Sequence, residues 1–415
     1  MVTTRQLSPS PSVVVEALPA PALVPIGPPW WGAVMGTGIL GTLTQLHIGA
    51  WGAGALLARF FLIAGWLLMV SFAATFIVRV ARSVQVWRAS VSGVGSSAWG
   101  MVAMGILAVG AATGAVLPAW NPALTELAWN ADRTLWLIGT VIGFLSTFGF
   151  AVALLRNRPE EPRPAWGLAI VPPMVSATSG APFVAQLSSP LAALGLLTFL
   201  GACFVCSLTL GIVIFTAAYH HHLRIDPIPV PLSISSWIPL GVVGQSTAAA
   251  QAIAGQSERF LLPAAAPAAR TIADVYGYLM LSIAIPLVAL AISVTVHGMR
   301  NGMPFSPGWW ALTFPIGTLS LGAFNLAKGS HLSGYAIAST VAWIVLLGTW
   351  TLCVIASLRP LALQLAAGRP GGTRRQPTGI SNPSQQSGSC PPGHRIRRDV
   401  ACECADHSAD GGSCS

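Results

Sequence analysis

The feature that most constrains this chain is a series of long apolar runs. A membrane-crossing helix needs about 20 mainly apolar residues, and ten segments approach or meet that length. They lie near residues 30–49, 53–80, 98–118, 134–155, 167–186, 190–219, 230–254, 274–298, 308–327 and 333–357. Only 8% of the 415 residues are charged, against about 25% in soluble domains. The sequence therefore predicts an all-α integral membrane protein with ten transmembrane helices.

Acidic side chains are predicted to stay out of the hydrocarbon core, where ionisable groups are costly. All twelve lie outside the apolar runs or at their edges: Glu16, Glu126, Asp132, Glu160, Glu161, Asp226, Glu258, Asp274, Asp399, Glu403, Asp406 and Asp410. Proton-coupled carriers usually place Asp, Glu or His inside their spans. The absence of such carboxylates here favours a pore or a weakly coupled carrier.

The basic residues predict the orientation of the chain. If the N-terminus is cytoplasmic, five basic residues meet the outside: Arg59, Arg133, Arg259, Arg270 and Lys328. Eight meet the inside: Arg79, Arg82, Arg88, Arg156, Arg158, Arg163, Arg224 and Arg300. The positive-inside rule then predicts that both termini are cytoplasmic. We expect the membrane to be a bacterial-type plasma membrane. The same distribution explains the net charge of +9 without a nucleic-acid partner.

Two polar ends flank the predicted membrane domain of residues 30–357. Residues 1–29 are predicted to be a disordered cytoplasmic tail, and they lack the long apolar core of a cleavable signal peptide. Residues 358–415 are rich in Gly, Ser, Pro and Arg and lack apolar periodicity, which predicts a disordered, basic cytoplasmic tail that also contains cysteines. Seven cysteines without framework spacing give no case for structural disulfides.

Odd-numbered and even-numbered runs differ in kind. The even runs are bulkier and more continuous, as in Leu135–Leu155 and Leu191–Phe215. The odd runs are interrupted by Gly or Pro, including Gly36, Gly38, Pro172, Pro173, Pro239, Gly244 and Pro315. Small residues allow backbones to approach, and backbone groups freed by Pro must face protein or a water-filled cavity. The alternation favours five inner helices surrounded by five outer ones, built from five two-helix repeats, although Gly also serves plain helix packing.

The interrupted helices offer a way to hold an anion without a buried Lys or Arg. A helix N-terminus carries free N–H groups and partial positive charge. Helices that restart near Pro172–Pro173, Pro239 or Pro315 would present such ends to a pore. Hydroxyls on the same runs could add donors: Thr37, Ser176, Ser179, Ser246 and Thr318. Each of these hydroxyls can also bond back to its own helix, and the pattern leaves both readings open.

Enzyme and metal chemistry find little support. No apolar run contains a carboxylate pair, a Ser-His-Asp set or metal-spaced His and Glu residues. The adjacent His220, His221 and His222 would point in different directions on a helix, which favours a polar cap over a metal site. Cys402, Cys404 and His407 form only a loose cluster in the polar tail. We therefore expect no catalytic residues, no metal and no cofactor.

Three motifs carry a resemblance to a known family. The stretch Trp31–Gly38 is similar to the first-helix motif of the tellurite-resistance/dicarboxylate transporter family, and Pro304–Thr318 resembles its ninth-helix motif more closely. The stretch Trp237–Gln245 is similar to the seventh-helix motif of the sulfite-efflux branch, with Val242 where that branch usually has Pro. The resemblance covers residues 28–357. The family includes TehA-like tellurite-resistance proteins, malate transporters, sulfite efflux pumps and plant slow anion channels.

The resemblance implies ten helices arranged as five hairpins, with odd helices around a central pore, and a homotrimer with one pore per subunit. It also implies that Phe314, beside Pro315, plugs the pore. By the same motifs, Gly36, Thr37, Gly38, Gly244 and Gln245 are pore-lining or anion-binding candidates. The implied substrates are sulfite or a C4-dicarboxylate such as malate.

Several alternatives stay open at this point. Within the family, the chain is either a carrier, a chloride or nitrate channel, or a tellurite-resistance protein. From other classes come an integral-membrane enzyme and a membrane scaffold or sensor that acts through its C-terminal tail.

Overall fold

The computed structural model describes residues 24–156 and 161–367. In these ranges ten long helices occupy the ten predicted positions. They are α1 (Trp31–Ile48), α2 (Gly52–Arg82), α3 (Trp99–Trp120), α4 (Thr125–Arg156), α5 (Pro172–Val184), α6 (Pro190–Arg224), α7 (Ile238–Ser257), α8 (Ala266–Arg300), α9 (Thr313–Ser330) and α10 (Ser333–Ala367). The predicted tails fall mostly outside the described residues, from 1 to 23 and from 368 to 415.

Fewer helices meet the length and hydropathy expected of a membrane span than the ten long helices of the bundle. Seven helices of the described chain are long and apolar enough to cross a membrane, or eight if the segment Pro164–Ile170 counts as one bent span with α5. Helices α1 and α7 fall below that standard, and both carry glutamines, at Gln45 and Gln245 among other positions. The all-α membrane architecture is confirmed, while the count of ten spans stays a prediction.

Several outer helices extend beyond their predicted ends because helical structure continues through flanking polar residues. Helix α4 begins at Thr125 rather than near residue 134, and α8 begins at Ala266 rather than near residue 274. Helix α10 reaches Ala367, ten residues beyond the predicted boundary at 357. The early start of α4 places Asp132 inside a helix of the bundle, where no carboxylate was expected.

The helices pack as five antiparallel hairpins around a closed ring. Each odd helix packs against the even helix that follows it, from α1 with α2 to α9 with α10. The odd helices also contact one another in the order α1, α3, α5, α7, α9 and back to α1. The predicted arrangement of five inner helices within five outer ones is therefore confirmed.

Burial separates the two sets of helices. In α3 and α9, 78% and 72% of the most apolar stretch is buried inside the protein, whereas the values for the five even helices lie between 17% and 33%. The exposed side chains of the even helices are largely Leu, Ile, Val and Phe. An apolar surface of this extent suits contact with lipid rather than water.

A repeated entry structure precedes every inner helix in the described chain. A short 3₁₀ helix leads into each one: Pro28–Trp30, Gly93–Ala98, Pro164–Trp166, Val230–Trp237 and Pro307–Leu312. A Trp lies at or beside each junction: Trp30 and Trp31, Trp99, Trp166, Trp237, and Trp309 and Trp310. Two of these indoles bond to the outer helix of the same hairpin, where Trp237 donates to Thr295 and Trp310 to Ser357. The recurrence supports the prediction of five structural repeats.

Close backbone contact between α7 and α9 depends on glycine. A Cβ atom at Gly322 would lie 2.5 Å from the backbone oxygen of Gly244, and a Cβ at Gly244 would collide with the backbone at Thr318 and Leu319. Only residues without side chains fit at such a distance. The glycines of the odd runs thus bring the inner helices together, as the packing interpretation of those glycines predicted.

Candidate functional site

The inner ring encloses a central cavity of about 830 Å³. All five inner helices contribute to it, and Trp129 and Asp132 of α4 and Arg270 of α8 reach it from the outer layer. A cavity of this size lies within the range of about 300–1,000 Å³ that is usual for small-molecule sites. It is therefore the candidate functional site.

The central cavity extends along the inner helices to one end of the bundle. On α9 it reaches from Phe314, in the first turn, to Lys328 in the last. At a rise of 1.5 Å per residue those 14 positions cover about 21 Å, well over half of the roughly 30 Å hydrocarbon core. The cavity opens where the odd helices end, on the side with Arg270, Lys328 and His331.

The inner end of the central cavity is apolar. Ile39, Leu107, Val175 and Phe314 line it there, one from each of four inner helices. Phe314 is only 3% exposed and belongs to the large buried cluster of the bundle. Other members of that cluster do not line the cavity and come from the N-terminal parts of the inner helices: Met35, Met104, Val171 and Leu240. Apolar packing thus closes the ring beyond Phe314.

Carboxamides form much of the polar wall. Gln245, Gln251, Gln256 and Asn325 all line the central cavity. Gln245 is 2% exposed, and its Oε1 has no hydrogen-bond partner in the described chain. The amide of Gln251 donates to Asp274 Oδ1 over 2.8 Å. Amide N–H groups are neutral donors, which can coordinate an anion without the desolvation cost of a buried ammonium or guanidinium.

Two permanent cations lie on the cavity wall toward the open end. Arg270 is paired with Glu258 over 2.5 Å, with both side chains partly exposed. Lys328 has its Nζ 4.6 Å from the ring centre of Phe324, and no ion pair forms at Lys328 in the described part of the chain. The exposed ammonium of Lys328 is therefore the charge most available to attract an anion into the mouth.

Helix ends do not supply that attraction at the mouth. The odd helices run in the same direction, and the mouth of the cavity lies at their C-terminal ends, which carry partial negative charge. The prolines that were expected to expose helix N-termini to a pore, Pro172, Pro173, Pro239 and Pro315, do not line the central cavity. The first turn of α9 lies at Phe314, so its partial positive charge is found at the inner end of the cavity rather than at the mouth.

Of the site residues predicted from sequence, Phe314, Gln245 and Ser179 line the central cavity. The predicted glycines lie at helix contacts instead. Gly36 faces the side chain of Thr313, Gly38 faces Ala108, and Gly244 faces the backbone of α9.

The predicted hydroxyls bond mainly within the bundle. Thr37 donates to Ala33 O over 2.7 Å and accepts a bond from Trp350 Nε1 over 2.9 Å. Ser176 donates to Pro172 O and accepts from Thr140 of α4. Two more bond to their own helices, Ser246 to Val243 O and Thr318 to Pro315 O. By contrast, Ser179 lines the central cavity while its hydroxyl bonds to Val175 O.

Sequence reasoning missed Asp132, Gln251, Asn325 and the cavity position of Lys328. Asp132 is only 4% exposed and lines the central cavity, so the expectation of a carboxylate-free interior is wrong at this residue. It was missed because the apolar run was taken to start at 134. The signal available was that no Gly or Pro interrupts the sequence between Thr125 and Asp132, which permits an earlier helix start.

The described residues contain no group of three His, Cys, Asp or Glu side chains placed to hold a metal. His222 bonds through Nδ1 to Asp226 O over 2.8 Å, and His221 lies 3.9 Å from Glu161. These contacts fit the polar cap expected at the end of α6. The cluster of Cys402, Cys404 and His407 lies outside the described residues.

The inner ring of the helical bundle encloses a cavity that is lined by amides and carries two cations. This lining is typical of a membrane protein that transports small anions. The SLAC1 family, whose description is voltage-dependent anion channel, matches residues 25–358 of this chain. The chain therefore belongs to this family of anion-transporting membrane proteins, which confirms the resemblance seen in its motifs.

Three fungal relatives are similar to part of the chain. The sulfite efflux pump SSU1 of Trichophyton rubrum is 25% identical over 243 residues, which are 57% of this chain and 64% of that protein. The proteins of the same name from Arthroderma benhamiae and Arthroderma otae are 26% and 24% identical over 246 and 245 residues. The chain thus matches slightly less than two thirds of the length of these relatives.

Proposed function

We propose that this protein transports sulfite, as the hydrogen-bearing or the fully ionised anion, through the central cavity. The observation that carries the proposal is a cavity closed at one end by Phe314 and lined by amides, with the exposed cation Lys328 toward its open end. The similarity to sulfite efflux pumps supports the choice of anion. The Gly244–Gln245 pair of the sulfite-branch motif supports it too, since Gln245 lines the cavity.

Phe314 acts as the gate in this proposal. An aromatic ring in an apolar constriction excludes water, so an ion meets a desolvation barrier. Pro315 follows Phe314 and lacks an N–H, so it cannot bond back to the 3₁₀ turn that precedes α9. The junction at Phe314 therefore has one backbone hydrogen bond fewer, which lets the aromatic side chain move. Movement of the Phe314 side chain would join the central cavity to the closed end of the bundle, where the N-terminal ends of the inner helices favour anions.

The basic residues support an orientation in which the central cavity opens away from the cytoplasm. Five described basic residues lie on the side of the mouth: Arg59, Arg133, Arg259, Arg270 and Lys328. Eight lie toward the opposite side: Arg79, Arg82, Arg88, Arg156, Arg163, Arg224, Arg300 and Arg359. By the positive-inside rule we infer that both termini are cytoplasmic, and the proposal includes a bacterial-type plasma membrane as the location. A homotrimer with one pathway per subunit completes the proposal.

Flux into liposomes of purified protein tests the substrate. Sulfite, malate, chloride and nitrate are compared, each with and without a proton gradient. Preferential sulfite flux supports the proposal. Preference for malate favours the C4-dicarboxylate alternative, for which a cavity of about 830 Å³ has room. Flux led by chloride or nitrate would assign the protein to the channel alternative.

The gate is tested with Phe314→Ala. We expect faster flux, because the shorter side chain leaves the constriction open to water. Phe150→Ala is the matched control, since Phe150 is similarly buried at 2% exposure but packs on Trp166 away from the cavity. Wild-type flux from a folded Phe314→Ala protein would refute the gate.

A further inference from the structure

Asp132 is the one acidic side chain among the described residues that is both buried and part of the cavity wall. Its carboxyl group lies beside two glycines of α3, one helical turn apart. Added Cβ atoms would lie 2.8 Å from Oδ1 at Gly110 and 2.6 Å from Oδ2 at Gly114. Because these two glycines have no side chains, the carboxyl group of Asp132 fits between α3 and α4.

No protein group satisfies this carboxyl group in the described chain. Asp132 Oδ1 is buried without a hydrogen-bond partner, and Asp132 takes part in no ion pair. The neighbouring Arg133 turns away, donating to Gln186 over 3.0 Å and packing over Phe183. Helices α3 and α5, which pack on this side, contain no titratable residue. No hydrogen bond is made by Oδ2 in the described chain either, and because Asp132 lines the cavity, this oxygen is the one that can accept a hydrogen bond from whatever fills it.

The partner that fits is an anion with a hydrogen to donate. A carboxylate repels other anions, so its presence in an anion pathway needs a compensating contact. The O–H of a hydrogen-bearing oxyanion supplies one, and Lys328 and the amides, which line the same cavity, favour the negative charge of the ligand. Nitrate and chloride have no such hydrogen and meet only the repulsion. A site with an unpaired buried acceptor rejects ligands that lack the matching donor.

We propose that Asp132 is the hydrogen-bond acceptor through which the central cavity selects hydrogen-bearing oxyanions, such as hydrogen sulfite, over anions without a donor. This inference rests on the proposed anion transport and adds the residue that determines its selectivity. It is independent of the gate at Phe314, because Asp132 lies on α4, nearer the open end.

Asp132→Asn tests the inference with little change in shape, since it removes the charge and replaces one acceptor oxygen with an NH₂ donor, which favours nitrate over hydrogen sulfite. Fluxes of sulfite and nitrate are measured in liposomes at mildly acidic and at neutral pH. The first condition favours the hydrogen-bearing monoanion of sulfite, and the second favours the ionised form of the Asp132 carboxyl group. We expect the sulfite-to-nitrate flux ratio to fall about tenfold, which corresponds to about 1.4 kcal/mol. Gly114→Ala should lower the ratio in the same direction with Asp132 intact, because the added Cβ displaces the carboxyl group.

Glu126→Gln is the matched control, since Glu126 is an exposed acid on the same helix and does not line the cavity. An unchanged ratio in folded Asp132→Asn protein would overturn the inference. So would an equal rise of both fluxes, which would show a charge barrier without hydrogen-bond selection. If wild-type protein carries none of the tested anions, the proposed function itself fails, and that result is distinct from an unchanged ratio.

Discussion

Two threonines of α1 allow a sharp test of which side chains face the pathway. Thr37 is fully buried and accepts a hydrogen bond from Trp350 Nε1 of α10 over 2.9 Å. Thr42, on the same helix, lines the central cavity. The motif resemblance pointed to Thr37 as a pore residue, whereas its contacts connect the inner ring to the outer layer. Thr37→Val should therefore change the stability of the protein, and Thr42→Val should change the anion flux.

The expected cost of Thr37→Val follows from one contact. Valine keeps the shape of threonine, so no cavity forms, but the Trp350 indole loses its acceptor. Leaving a buried donor unpaired costs about 1–3 kcal/mol. The flux per folded molecule should stay at the wild-type level. For Thr42→Val we expect little change in stability, because its hydroxyl makes only a long bond of 3.4 Å to Gly38 O, and a change in flux.

Unfolding in detergent and flux in liposomes provide the two measurements. Trp350→Phe in the Thr37→Val background should cost less than the sum of the single changes, since the second substitution removes the unpaired donor. Additive costs would show that the two side chains do not interact. An altered anion selectivity in Thr37→Val, with unchanged stability, would refute the placement of Thr37 and restore it as a pathway residue.

Three further outcomes follow from the structure. Gly322→Ala should destabilise the protein by about 1–3 kcal/mol, because its Cβ would lie 2.5 Å from Gly244 O; wild-type stability in thermal unfolding would contradict the α7–α9 contact. Lys328→Gln should slow anion uptake at low ionic strength, and the difference should vanish near 1 M salt, where the Debye length is about 3 Å; a salt-independent effect would contradict long-range attraction. Deletion of residues 368–415 should leave flux intact in liposomes, whereas a protein that signals through its tail would lose its activity in a cellular assay.

The sequence predicted the layered architecture because that information is local. Lipid-facing helices need continuous bulky apolar residues, and helices in close contact need small ones, so position in the bundle is visible in composition. The Gly and Pro residues of the odd runs, such as Gly244 and Gly322, therefore identified the inner ring. The same residues did not indicate which positions line the cavity, because Gly244, for example, contacts the backbone of α9.

The position of hydroxyls and carboxylates in the bundle was harder to predict, because these groups have alternative partners that the sequence does not resolve. Thr37 and Ser176 find partners on outer helices that are distant in the chain. Asp132 seemed to lie beyond the end of a run, and hydropathy cannot show that a helix continues through a polar turn. Gln245 and Phe314 were placed by motif and do line the central cavity, while their roles there await the flux measurements.

By itself, the sequence determined that the chain is a helical membrane protein with two kinds of helix, since scarce charge and periodic small residues leave few other ways to satisfy backbone groups in lipid. Only the tertiary structure decided which polar groups meet in the cavity. That outcome depends on how far each helix extends and how it is rotated against its neighbours. The carboxyl group of Asp132, held beside Gly110 and Gly114 of another helix, shows why no single segment could reveal it.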